Sequence, residues 1–446
     1  MKKPKTIARR QFLKGTAIGA AASALLSGCS RQNAAAPRVA QPRRPGPNER
    51  LAIGLIGVGE LGRRHHLQGM LLDNEKIRDR VDVVAVCDVD RDHRDDAAQR
   101  IWDRTGKRVG VYKDFRDLLD RRDIDAVFIV TPDHWHALIA IAAMESGRDV
   151  YCEKPLTLTI EEGRAMVRAA RRYGTVFQTG SMQRSDVRFR KACELVRNGK
   201  IGRITKVETH VGSVGPGKWQ PYQTPPPQLD WDFWLGPAPW ADYFPDRCHH
   251  EFRWFSDYSG GKLTDWGAHH NDIAQWALGM DESGPVRIVG KGTFHENGPN
   301  DVPGTFEVRY TYENGTELIC FAEGENGVKF HGTDGWIFVN RGRIEASDPD
   351  ILKTRLGPND VRLYNTGHDP NNWVNHYNDW FECIRTRQRP ICDVEVGHRS
   401  VTVCHLGNIA IRLGRELHWD PKKELFVNDA EANMLISRPM RAPWHL

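Results

Sequence analysis

Leu51-Ala52-Ile53-Gly54-Leu55-Ile56-Gly57-Val58-Gly59-Glu60-Leu61-Gly62-Arg63-Arg64 is the stretch whose reading decides the fold. The apolar run over 51–58 reads as a strand buried on both faces, as in a parallel sheet. Gly57, Gly59 and Gly62 form a G-x-G-x-x-G turn that opens a helix. In such a turn the first glycine allows the tight bend and the second lets a pyrophosphate approach the backbone. The third lets helix and strand pack closely. The anion then rests on free N–H groups at the positive end of the helix dipole. Glu60 and Leu61, inside the turn, are expected beside the nucleotide. Glycines also make ordinary turns, so the motif gains its meaning from its neighbours.

Downstream, 81–87 reads as a second apolar strand ending at Asp88, 26 residues beyond Gly62. That is near the roughly 20 expected for the acid that holds an adenosine ribose. A carboxylate there repels a 2′-phosphate and favours NAD. Arg91 and Arg94 follow closely and offer partners for that phosphate, so NADP stays open. Residues 126–130 form a third buried strand running into Thr131-Pro132-Asp133-His134-Trp135-His136. A helix over 137–146 stops at Gly147, and 149–152 is another strand. The alternation predicts a doubly wound parallel sheet, an α/β Rossmann domain over 50–175. Ligands of such sheets bind at the carboxyl ends of the strands. Asp88, Thr131, Pro132, His136, Glu153 and Lys154 fall there and are taken as cofactor contacts. Burial of a lysine in such a crevice would lower its pKa and suit proton transfer, although most lysines are simply exposed.

With 446 residues, 39% hydrophobic and 27% charged, the chain has the composition of a soluble protein with room for two domains. Its net charge of +5 is concentrated in the first 50 residues, and no basic stripe with interleaved aromatics suggests nucleic acid. The nine cysteines include no C-x-x-C pair. Cys87 and Cys152 sit in or beside strands, where a thiol acts as a small apolar filler.

Residues 1–29 have a basic start, an apolar stretch over 15–26 and small residues before Cys29, the pattern of an export signal. Arg9-Arg10-Gln11-Phe12-Leu13-Lys14 resembles a twin-arginine signal, with Ala8 where Ser or Thr is usual. Leu26-Ser27-Gly28-Cys29 resembles a lipobox, whose cysteine would carry a lipid anchor; the alternative is an ordinary cleaved signal. Residues 30–49, rich in Ala, Pro, Arg, Gln and Asn, read as a flexible tether. The expected location is periplasmic or membrane-anchored, with Cys29 the only link to a membrane.

Residues 176–446 read as a second, α+β domain for substrate and oligomerisation. Gly260-Gly261 precedes a helix expected over 264–278, which places Asp265, His269 and Asp272 on one face. A carboxylate on the far imidazole nitrogen would fix the tautomer and raise basicity. A solvated face or a charge-paired core histidine would give the same pattern. His249-His250-Glu251 and His269-His270 are poor chelates, because adjacent helical residues point about 100° apart, and no metal is expected. Many aromatics between Trp219 and Tyr258, interspersed with prolines, predict a loop excursion that stacks on sugars or anchors itself on the domain. Residues 305–312 and 317–322 alternate as antiparallel strands. Gln183, Arg184 and Arg188 could meet substrate hydroxyls or serve ordinary capping.

The order of GVGELG, TPDHWH, CEKP and GGKLTDWGAHHNDIAQW, followed by HYNDWFECIRTRQRPICDVEVGHRS, resembles the Gfo/Idh/MocA family of NAD(P)-dependent sugar and polyol oxidoreductases. The resemblance runs from about Leu51 to the C-terminus. It implies a Rossmann domain followed by a mostly antiparallel open sheet, whose face often meets a partner subunit, so a homo-oligomer is expected. It also implies catalytic roles for Lys154, in the E-K-P motif, and for Asp265 and His269. Asp272, Arg184 and Trp266 are assigned to the substrate. His270 doubles the histidine, so His269 is chosen by its four-residue offset from Asp265.

Three functions compete. In a dehydrogenase, NAD takes a hydride from a carbinol carbon of a small sugar or polyol while Lys154 and His269 take the hydroxyl proton. In a redox-neutral glycosidase, transient oxidation acidifies a neighbouring C–H and the glycosidic bond leaves by elimination; water then adds and the hydride returns. An exported enzyme has little access to a recycling NAD pool, which favours a tightly held cofactor in either case. A sugar-binding lipoprotein without activity is disfavoured by Lys154, Asp265 and His269 together.

Overall fold

The computed structural model describes Gly46 and residues 49–446. The export signal, Cys29 and nearly all of the tether lie outside the described residues. No helix among the described residues is long and apolar enough to cross a membrane.

Six strands, β1 (Leu51–Ile56), β2 (Val81–Cys87), β3 (Gly110–Tyr112), β4 (Ala126–Ile129), β5 (Asp149–Cys152) and β6 (Phe177–Thr179), form a parallel sheet in the order β3-β2-β1-β4-β5-β6. The reversal of order between β1 and β4 opens the crevice where such folds bind ligands. β1 and β4 run through the middle of this sheet and are buried, which explains why they read as continuous apolar runs. The parallel sheet extends to Thr179, so its last strand lies beyond residue 175. A π-type helix, Leu61–Leu72, follows the glycine turn. The helix after β4 begins at Asp133, four residues before the expected start.

The second sheet has nine strands: β7 (Ile204–His210), β8 (Arg287–Thr293), β9 (Thr305–Thr311), β10 (Glu317–Phe321), β11 (Gly327–Gly332), β12 (Trp336–Val339), β13 (Ile344–Ala346), β14 (Leu417–Asp420) and β15 (Leu425–Phe426). Their order is β13-β12-β11-β7-β10-β9-β8-β14-β15. All pairings are antiparallel except β7 with β10. One face is covered by the helices Gly267–Leu278 and Val394–Leu413. Helix and sheet meet at Gly407, where a Cβ would lie 2.3 Å from the Tyr310 hydroxyl. The other face carries charged pairs, among them Lys206–Glu208, His331–Glu208 and Arg309–Glu317.

The helix expected over 264–278 is two helices, Gly261–Asp265 and Gly267–Leu278. The ladder breaks at Trp266, whose carbonyl accepts from both His269 N and His270 N at 3.0 Å. Gly267 lets the second helix approach Cys404, whose Sγ would stand 3.0 Å from an added Cβ.

The helix Asn372–Thr386 returns to the first sheet and packs on β1, β4 and β5. Its fully buried Trp380 meets the Phe128 and Tyr151 rings at 5.1 and 5.6 Å. The core of the first sheet is therefore completed by a late segment of the chain. Trp380→Ala is expected to destabilise the protein by about 3–5 kcal/mol through the cavity it leaves. A urea titration would read this as a lowered midpoint; an unchanged midpoint would mean that the helix contributes nothing to that core.

Candidate active site

The three glycines of the opening motif meet different demands. Gly57 has φ +85°, and a Cβ there would lie 2.7 Å from the Val130 carbonyl carbon and oxygen. A Cβ on Gly62 would lie 2.2 Å from the Gly57 carbonyl oxygen. Around Gly59 nothing stands within 4 Å. The first and third glycines are thus required by the fold itself, and the second leaves a gap beside the backbone where a pyrophosphate fits. The gap opens into a cavity of about 630 Å³, within the usual range for ligand sites. Glu60, Leu61, Asp88, Thr131, Pro132 and Glu153 line it together with the glycines and Lys154. Asp88 is pinned by backbone amides of the glycine turn and its own loop: Oδ2 accepts from Val58 N at 2.8 Å and Oδ1 from Asp90 N at 2.9 Å. The carboxylate is held at the end of β2, where the ribose of a dinucleotide would lie.

Lys154 follows β5 and crosses the crevice. Its Nζ donates to Asp265 Oδ1 at 2.6 Å and to the Asp265 carbonyl at 3.2 Å. Burial pushes the Asp265 carboxyl upward, but Lys154 and Arg253 outweigh it and hold its pKa at about 2. Behind Lys154, Glu153 Oε1 lies 3.3 Å from His66 Nε2, and the other nitrogen of His66 meets the Tyr377 hydroxyl. Glu153 stays low despite burial because of His66 and Lys154. This chain ties the glycine-turn helix, the E-K-P segment and the C-terminal helix to one point.

His269 is buried, and its Nδ1 has no partner among the described residues. Burial, then Lys154, Arg341 and His270, drive its pKa well below the ordinary histidine value. Asp265 is not the partner expected for this imidazole: the break at Trp266 separates the two, and Asp265 is occupied by Lys154. The arrangement presents an ammonium fixed by a carboxylate and a neutral imidazole able to accept a proton.

Other expected residues lie apart from the cavity. Asp272 and Arg184 are buried together in a bidentate pair at 2.8–3.0 Å, which Asp281 extends. Both groups are thereby committed inside the fold, with the Asp272 carboxylate taken up by Arg184. Trp266 lies beside His269, ring centroids 5.8 Å apart. His136 does not face the cavity; its ring nitrogens meet the Pro155 and Thr131 carbonyls at 2.7 and 2.8 Å, clasping the two loops.

The aromatic excursion supplies what sequence patterns did not reveal. Its helix Trp231–Leu235 docks on the first sheet's helix through Trp135 Nε1, which donates to the Trp234 carbonyl at 2.9 Å. Phe233, Trp234, His249, Phe252 and Arg253 close one wall of the dinucleotide cavity. Trp219, Tyr222 and Trp240 remain exposed. The excursion also brings His249, in a left-handed backbone conformation, to His93 and Asp90. One ligand-type atom from each lies within 4.8 Å of the others, a clustering that no sequence spacing announces. Asp90 already caps the following helix through Oδ1.

Family models describe the same division. The model for the oxidoreductase family NAD-binding Rossmann fold matches residues 51–181, and that for its C-terminal alpha/beta domain matches 198–446. The chain belongs to the Gfo/Idh/MocA oxidoreductase family. It is an NAD-binding enzyme of that family. It is 27% identical to the uncharacterized oxidoreductase YrbE of Bacillus subtilis (strain 168), over 68% of this chain and 79% of that one. It is 34% identical to glycosyl hydrolase family 109 protein 1 of Shewanella sp. (strain MR-4), over 44% of each chain. This chain thus spans less than half the length of that second relative. The crystal structure of the aldose-aldose oxidoreductase from Caulobacter crescentus, complexed with glycerol, superposes with a TM-score of 0.63 at 19% identity, covering 83% of this chain and all of that one.

Two glycine substitutions separate binding from folding. Gly59→Ala is expected to fold as the parent does and to bind NAD at least about tenfold more weakly, since its methyl enters the pyrophosphate gap. Gly62→Ala is expected to lose stability first. Fluorescence titration with NADH, beside thermal melts, checks both; unchanged NADH affinity in Gly59→Ala would place the dinucleotide elsewhere.

Proposed function

We propose that the protein oxidises a secondary hydroxyl of a sugar or polyol, with NAD as hydride acceptor. The observation that carries this reading is the Lys154–Asp265 pair, whose lysine lines the dinucleotide cavity, with the buried His269 near enough to feel the charge of Lys154. NAD, held by the glycine turn and Asp88, supplies the hydride acceptor. Lys154, oriented by Asp265, hydrogen-bonds the substrate hydroxyl and stabilises the alkoxide that develops on it. His269, held neutral, accepts the proton. Trp266, stacked by the Arg341 guanidinium, stands beside them as an apolar contact for a sugar ring.

A second reading has specific support. The relative named as a glycosyl hydrolase of family 109 shares 34% identity over 44% of the chain. The same proton-accepting groups would serve a redox-neutral cleavage, in which the hydride returns to the product. The twin-arginine and lipobox patterns support export of an already folded, nucleotide-loaded enzyme to the periplasm or a membrane surface. The wall made by the excursion suits a nucleotide that stays bound. A homo-oligomer through the charged open face of the second sheet completes the reading.

The test is to purify the mature protein, measure nucleotide retained through dialysis, and offer free sugars and aryl glycosides without added NAD. Net NADH from a free sugar once NAD is added, without bond cleavage, is the expected result. Aryl alcohol release without net NADH would replace the dehydrogenase by the glycosidase. Lys154→Ala and His269→Ala are each expected to lower kcat by about 10²–10⁴-fold; full activity in both would refute the site.

A further inference from the structure

Arg341 stands in the turn between β12 and β13, and nothing in the motifs drew attention to it. The turn is preset by Asn340, whose Oδ1 accepts from Gly342 N at 2.8 Å and Arg343 N at 2.9 Å. The Arg341 guanidinium lies over the Trp266 ring, 4.6 Å from its centroid. Its Nε donates to Gln183 Oε1 at 3.2 Å. Gln183 is itself buried and fixed, its amide reaching the His269 carbonyl at 3.5 Å and His270 Nδ1 at 3.4 Å. The plane and the heading of the guanidinium are therefore set by two neighbours of His269.

Arg341 has no carboxylate partner among the described residues. Two neighbouring arginines do: Arg184 has Asp272 and Asp281, and the adjacent Arg343 has Glu325 and Glu345. Arg341 is open to solvent, yet the surrounding protein withdraws enough water to lower its pKa. Nearby charges do not balance it. Asp265 is already shared by Lys154 and Arg253, and Glu153 faces His66. With Nε engaged, both terminal nitrogens remain available as a flat two-pronged donor, the geometry that matches a carboxylate.

We propose that Arg341 reads a carboxylate on the substrate, so that the ring bound beside Lys154 and His269 is a hexuronate or a glycoside of one. Arg341 is a specificity residue: it grips the acid group while the hydroxyl chemistry takes place at Lys154 and His269. The proposal rests on the sugar reading given above and narrows it to sugar acids.

The test compares glucuronate and galacturonate with their uncharged isosteres, the corresponding uronamides, by calorimetric titration of the NAD-loaded protein. The acid is expected to bind about 100-fold more tightly than its amide, a preference that collapses in Arg341→Gln. Equal binding of acid and amide by the parent protein overturns the proposal, as does a preference undiminished in Arg341→Gln, or no binding of either acid at millimolar concentration. Should the variant fail to fold, the parent comparison alone decides. Sugar oxidation that ignores the carboxylate would sink this proposal and leave the oxidoreductase reading standing. Selective binding of the acid, with neither oxidation nor glycoside cleavage of any sugar, would do the reverse.

Discussion

The contact between Lys154 Nζ and Asp265 Oδ1 is the interaction on which the site depends. It spans 111 residues of chain and joins the end of a parallel strand to the start of the second domain's helix pair. Both side chains are largely shielded from water, at 14% and 13% exposure. Removing one partner of so shielded a pair costs about 3–5 kcal/mol, because the other charge is left without compensation. The same contact settles the electrostatics around it. Burial, and then the neighbouring Lys154, lowers the His269 pKa and keeps its imidazole neutral. Behind the pair, Glu153, His66 and Tyr377 anchor Lys154 to helices from both ends of the chain.

Much of this was legible in the sequence because local constraints carry it. The apolar runs of β1, β2, β4 and β5 cannot be exposed, and the three glycines have no substitute at two of their positions. Other features were decided at a distance. The spacing of Asp265, His269 and Asp272 fits one helical face, but the break at Trp266 and the competing partners Lys154 and Arg184 send the three to different tasks. No periodicity reveals the break, or the approach of Gly267 to Cys404 more than a hundred residues away. Arg341 is illegible for the same reason: a lone arginine in a turn becomes informative only when its missing partner can be seen.

The aromatic excursion shows how one segment serves both fold and site. Its buried rings form their own small core, and that core presses His249, Phe252 and Arg253 against the dinucleotide cavity. An enclosed nucleotide is also what an enzyme exported in its folded state would need. The leader and the excursion, though far apart in the sequence, thus bear on one question: whether NAD acts as an exchangeable cosubstrate or a resident group.

A double-mutant cycle on Lys154→Met and Asp265→Asn, read as kcat/KM on the substrate sugar, tests the central claim most directly. If the two residues act as one unit, the double variant is no worse than the poorer single variant. If the two losses multiply, each residue works independently and the pair across the domains is not what makes the site.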